Sequence, residues 1–72
     1  MKVELSSRQW QALVGKARGL HYREIAEEME TTTSAVKGLL TEARNKLGAQ
    51  TTSQAVYRAT SWGVIPPEQC DG

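Results

Sequence analysis

Ser34, Gly38, Thr41 and Asn45 recur at steps of four, three and four, with Lys37 and Arg44 flanking one edge and Glu42 the other. On an α-helix this spacing gathers short polar side chains into one outward strip edged by two cations. Such a strip can donate to and accept from base edges, and a DNA major groove admits a single α-helix. The same strip also fits an ordinary solvated helix face, so both readings stand at this point. Nothing in the chain points to bond-making chemistry. His21 has no Ser, Cys or carboxylate constellation around it and is read as satisfied or solvent-facing, so the protein is not expected to be an enzyme. The lone Cys70 excludes an internal disulfide and cannot build a zinc site with one His. No cofactor is expected.

The strip must be carried by a helix over about 33–47. Val36, Leu40, Ala43 and Leu47 supply its buried stripe with Leu39 alongside; Thr32 is placed to cap it and Gly48 to end it. Before it, Ser6 and Gln9 form a capping box, and Leu5 with Trp10 a hydrophobic staple, opening a helix over about 6–18. Trp10, Leu13, Val14 and Ala17 form that helix's inner stripe, and Gly19 stops it. A second helix over about 22–29 buries Tyr22, Ile25, Ala26 and Met29. Glu30-Thr31 turns the chain into the third helix, which together describes a helix-turn-helix over 22–48. Thr51 and Gln54 form another capping box for a helix over about 52–62, with Ala55, Val56, Ala59 and Trp62 inward and Gly63 as its stop. Pro66 and Pro67 prevent continuation.

The fold expected is therefore all-α: a four-helix domain over 5–65, an N-terminal arm over 1–4 and a mobile tail over 66–72. Seventy-two residues suffice for one such core. The formal charge of +1 conceals segregation. Residues 1–23 carry five cations against Glu4, residues 24–30 four acids and no cation, and residues 31–58 four cations against Glu42. An acidic helix thus lies between two basic segments. No apolar run approaches a membrane span and no signal peptide is seen, which gives the expectation of a cytoplasmic protein without a membrane partner.

With the helices placed, Leu5 to about Val64 resembles the LuxR-type (GerE-like) DNA-binding domain of bacterial transcription regulators. The matching residues are Leu5-Ser6-x-Arg8, Leu13, Gly19, Glu24-Ile25-Ala26, Val36-Lys37, Lys46-Leu47-Gly48 and Ala55-Val56. The last domain of sigma factors shares Glu-Ile-Ala, Val-Lys and Ala43-Arg44. It does not usually continue into Lys-Leu-Gly and a capped fourth helix. The resemblance implies that the second helix is a scaffold, the third a recognition helix and the fourth a frequent dimer contact, and that Lys37 touches phosphate or base. Double-stranded DNA is then the expected partner, met by Thr32, Thr33, Ser34, Lys37, Gly38, Thr41, Arg44 and Asn45. The hydroxyls of 32–34 lie at a helix N-terminus that favours anions. Gly38 either lets a backbone approach or is a blemish costing about 1 kcal/mol relative to Ala. Glu24 and Lys46 suit the dipoles of their helices.

The sequence departs from the family pattern in three places. No side chain at 38, 39 or 41 is basic, Glu42 near the groove would repel phosphate, and Glu30 stands where Gly or Asn is usual, which implies an altered turn. On the fourth helix, Ser53, Tyr57, Thr60 and Val64 form a second strip, read as a weak homodimer contact. With Met1 so close to the domain, the chain is expected to be a stand-alone regulator or an excised piece. The rival class is a protein-binding adaptor docking on RNA polymerase or another regulator through the acidic helix. Cations gathered on one face (Arg8, Lys37, Arg44, Lys46) would favour DNA.

Overall fold

All four apolar stripes fold as helices in a computed structural model that describes residues 4–65. They are α1 (Ser7–Ala17), α2 (Tyr22–Met29), α3 (Thr33–Lys46) and α4 (Thr52–Ser61). Most of the arm, and the 66–72 tail with Cys70 and the Pro66-Pro67 stop, lie outside the described residues. The caps follow the side-chain chemistry. Ser6 Oγ accepts from the Gln9 amide at 3.1 Å while Gln9 Oε1 accepts from the Ser6 amide at 3.0 Å, closing the box of α1. Thr32 Oγ1 accepts from the Ala35 amide at 3.1 Å. Thr51 Oγ1 accepts from the Gln54 amide at 3.0 Å, but Gln54 Oε1 takes the Gln50 amide at 2.7 Å, so the return arm of that box is displaced by one residue. His21 contributes backbone only: its N–H donates to Glu24 Oε1 at 2.9 Å.

α3 is the central element, packed against α1, α2 and α4. Val36, Leu40, Ala43 and Leu47 are buried with Ala12, Leu13 and Val14 of α1, Ile25 and Ala26 of α2, and Ala55 and Ala59 of α4. α1 and α2 approach so closely that a Cβ on Gly15 would stand 2.7 Å from Ile25 Cγ1. Two expectations for the end of α4 are corrected. Trp62 is not inward but 47% exposed, and Ile65, with no exposure, fills the core in its place. Val64 is not on an outward strip of α4 but half-buried against the core. The helix stops at Ser61, and Gly63 at φ 76° turns the chain back, so the helical period does not reach residues 64 and 65. The Val64 carbonyl then accepts from Trp10 Nε1 at 2.9 Å, fastening the end of α4 to α1. Trp10 is itself half-buried, packed on the core's edge.

One termination device serves all four helices. After α2, Thr31 N–H bonds to Ala26 O at 2.9 Å and Glu30 N–H to Glu27 O at 3.2 Å, the paired bonds of a Schellman motif. The same pair follows α1 at Gly19 and Leu20, α3 at Gly48 and Ala49, and α4 at Gly63 and Val64. The motif needs a left-handed residue, and at α2 that residue is Glu30, at φ 54° and ψ 50°. The altered turn expected from the sequence is thus a normal turn occupied by a residue that fits it poorly, since a side chain there costs roughly 1–2 kcal/mol.

Glu30→Gly should therefore stabilise the domain by about 1 kcal/mol, after allowing for glycine's greater freedom when unfolded. A thermal melt should rise by roughly 4–8 °C. An unchanged or lower midpoint would show that the Glu30 backbone is not strained.

Candidate nucleic-acid interface

Burying the Val36–Leu40–Ala43–Leu47 stripe turns the opposite side of α3 to solvent. Thr32, Thr33, Ser34, Lys37, Gly38, Thr41 and Asn45 are all exposed, and Arg44 is half-buried. At the start of the helix Thr32 Oγ1 is occupied in capping, leaving its hydroxyl proton as a donor. The amides of Thr33 and Ser34, at the first two helical positions, have no acceptor within the helix. Hydroxyls and amides at a positive helix end can bind an oxyanion. Two turns on, Thr41 Oγ1 donates to the Lys37 carbonyl at 2.9 Å, so its hydroxyl faces outward as an acceptor. Arg44 Nη1 lies 3.4 Å from the Gln50 carbonyl, which leaves most of its donors unused.

Glu42 behaves differently from its expected role at the groove's edge. Gln9, buried in α1, donates from Nε2 to Glu42 Oε1 at 3.2 Å, so the carboxylate is tied back toward α1. Gln9 is at once cap, core residue and tether; the sequence pattern identified only its capping role. The C-terminal end of α3 is also answered: Arg58 of α4 donates to the carbonyls of Leu47 (2.9 Å) and Gly48. A cation among the last carbonyls of a helix opposes their partial negative charge. Its ten-residue separation from Gly48 crosses a turn and leaves no periodic signal. Among the described residues the ion pair is Arg18–Glu28, at 3.4 Å on an exposed edge, where it contributes little to stability.

Lys37 Nζ lies 5.4 Å from the centre of the Tyr22 ring, and Lys16 Nζ lies 4.7 Å from the same centre. The sequence stripes place Tyr22 on the core side of α2 and give no sign of this cluster. On α4, the strip drawn through Ser53, Tyr57, Thr60 and Val64 is interrupted. Tyr57 is 72% exposed, but Thr60 is half-buried with its hydroxyl donated to the Val56 carbonyl at 2.9 Å, and Val64 lies beyond the helix. Among the described residues no helix is long and apolar enough to cross a membrane.

The sequence model for bacterial regulatory proteins of the luxR family matches residues 3–59, taking in α1, α2, α3 and most of α4. No curated protein matches the chain.

Gly38 separates stability from recognition. A Cβ there meets nothing within 4 Å, so Gly38→Ala should raise stability by about 1 kcal/mol, read as a higher melting midpoint. If duplex affinity falls while the midpoint rises, the missing side chain serves close approach. Affinity unchanged beside the same gain would make Gly38 a solvated position and nothing more.

Proposed function

Since this chain belongs to the luxR family of bacterial regulatory proteins, whose domain is a DNA-binding helix-turn-helix, we propose that α3 enters the major groove as a recognition helix. In this reading Ser34, Thr41 and Asn45 face base edges, and Gly38 allows the helix to sit close. Lys37 and Arg44 reach the flanking phosphates, and Thr32 and Thr33 meet a phosphate at the helix N-terminus. The observation that carries it is the outward face of α3, polar and cationic, with the helix's single acid, Glu42, held back by Gln9. The protein acts as a cytoplasmic transcription regulator. Exposed Glu27 on α2 and Glu30 in the turn after it provide an acidic surface for RNA polymerase or another protein.

Binding-site selection with the purified chain, followed by a salt titration on the selected duplex, tests this reading. Lys37→Ala should weaken binding to all sequences and lower the log–log salt slope by about 0.9, one phosphate's worth of released counterion. Affinity and slope both unchanged would remove Lys37 from the phosphate contacts.

Pairing on DNA through α4 is part of the same proposal, centred now on Tyr57 with Thr60 beside it. A contact of this size falls below the roughly 1,000 Å² of a stable interface, so it acts only when two half-sites are close, about 10–10.5 base pairs apart. Tyr57→Glu should abolish cooperative filling of paired half-sites and leave affinity for a single half-site nearly intact. Equal affinity for single and paired sites in the unmodified protein would exclude the pairing.

A further inference from the structure

Tyr22 opens α2 with its ring packed on the edge of the core, and two ammonium groups from other helices converge on that ring. Lys16 comes from the last turn of α1 and Lys37 from the second turn of α3. At 4.7 and 5.4 Å from the ring centre, both lie within the range of about 6 Å over which the ring's quadrupole attracts a cation. The electron-rich faces of the neutral ring attract both cations without consuming their charge, whereas a carboxylate would neutralise them. Among the described residues neither ammonium has an ion-pair partner. Lys16 Nζ donates once, to the Leu20 carbonyl at 3.1 Å, which leaves two of its three N–H groups unspent. Lys16 is only half-buried and, with Tyr22, Thr52, Ser53 and Val56, lines a surface cleft, so those donors are reachable from solvent.

We propose that Tyr22 is a positioning residue of the DNA interface, holding Lys16 and Lys37 as a pair that engages the phosphates of one strand beside the groove entered by α3. This rests on the DNA-binding reading above and extends the interface to α1, which the α3 strip does not reach. Both ammonium groups are anchored to one ring, and a single strand presents a charge about every 3.4 Å of helix axis, so the pair can address the same short stretch of backbone. The ring restricts two long, flexible side chains before DNA arrives, which lowers the ordering cost at binding. An aliphatic residue at position 22 would cover the core edge equally well and lack this effect.

The test uses the full chain, the selected duplex, and the variants Tyr22→Leu, Tyr22→Phe and Lys16→Gln. Tyr22→Leu should weaken binding about two- to fivefold, the fold-change corresponding to an exposed cation–π contact, and Tyr22→Phe should restore it. Lys16→Gln should lower the salt slope by about 0.9. In a double-mutant cycle, the loss from Tyr22→Leu should shrink once Lys16→Gln and Lys37→Ala are present, which a structural defect at position 22 would not produce. Without DNA, the ε-methylene protons of both lysines should carry ring-current shifts that vanish in Tyr22→Leu. The inference is overturned if Tyr22→Leu binds as tightly as a DNA-binding parent, if its loss is the same with and without the lysines, or if the ring-current shifts are absent. A parent chain with no salt-dependent duplex binding would overturn the DNA reading itself and this inference with it.

Discussion

The rotation of α3 about its own axis is the constraint on which the rest of the domain depends. A helix of 14 residues is marginal alone in water, so α3 exists because Val36, Leu40, Ala43 and Leu47 are buried by α1, α2 and α4. That burial fixes which side chains remain outside. Turning the helix by one residue's worth, 100°, would lift Val36 and Leu40 out of the core and carry Ser34 and Thr41 toward it. Every outward group is therefore oriented by apolar contacts on the far side of the same helix. The close crossing at Gly15 and Ile25 belongs to the same constraint, since it brings α1 and α2 together into the surface that receives the stripe.

Polar contacts then adjust the charge of what is left exposed. Gln9 draws Glu42 toward α1, and Arg58 covers the carbonyl end of α3, so negative charge is withdrawn from the outer face or answered behind it. Tyr22 holds two cations from other helices at its ring without neutralising them. Each of these contacts is small beside the hydrophobic core. Together they sort charge over the surface of a chain whose formal net charge is only +1.

What was legible in the sequence was whatever repeats with the helix or acts within one turn of it. The stripe of α3, the cap at Thr32, the box at Ser6 and Gln9 and the helix stops at Gly19, Gly48 and Gly63 are local, and all of them are present. Exposure of Ser34, Gly38, Thr41 and Asn45 followed directly from the stripe. Local reading fails where the chain leaves the helix: α4 ends at Ser61, so Trp62 is exposed rather than inward and Val64 is half-buried rather than on the outward strip, while Ile65, which belongs to no helical stripe, is buried. It was also blind to partners 21 or 33 residues away, so neither the Lys16–Lys37 pair on Tyr22 nor the Gln9–Glu42 tether could be read from spacing.

The bond from Trp10 to the Val64 carbonyl has an optical side. The chain has two tryptophans, and both sit where α4 ends: Trp10 donates its indole proton to that segment, and Trp62 is the residue that closes the helix. Excited at the indole band, the protein emits from the end of α4, where Trp10 reports on the seam with α1 and Trp62 on solvent, and nothing on the outer face of α3 contributes. Intensity and wavelength would therefore follow the opening or tightening of that seam. A ligand covering α3 alone would be spectroscopically quiet unless its effect travelled through the core to α4.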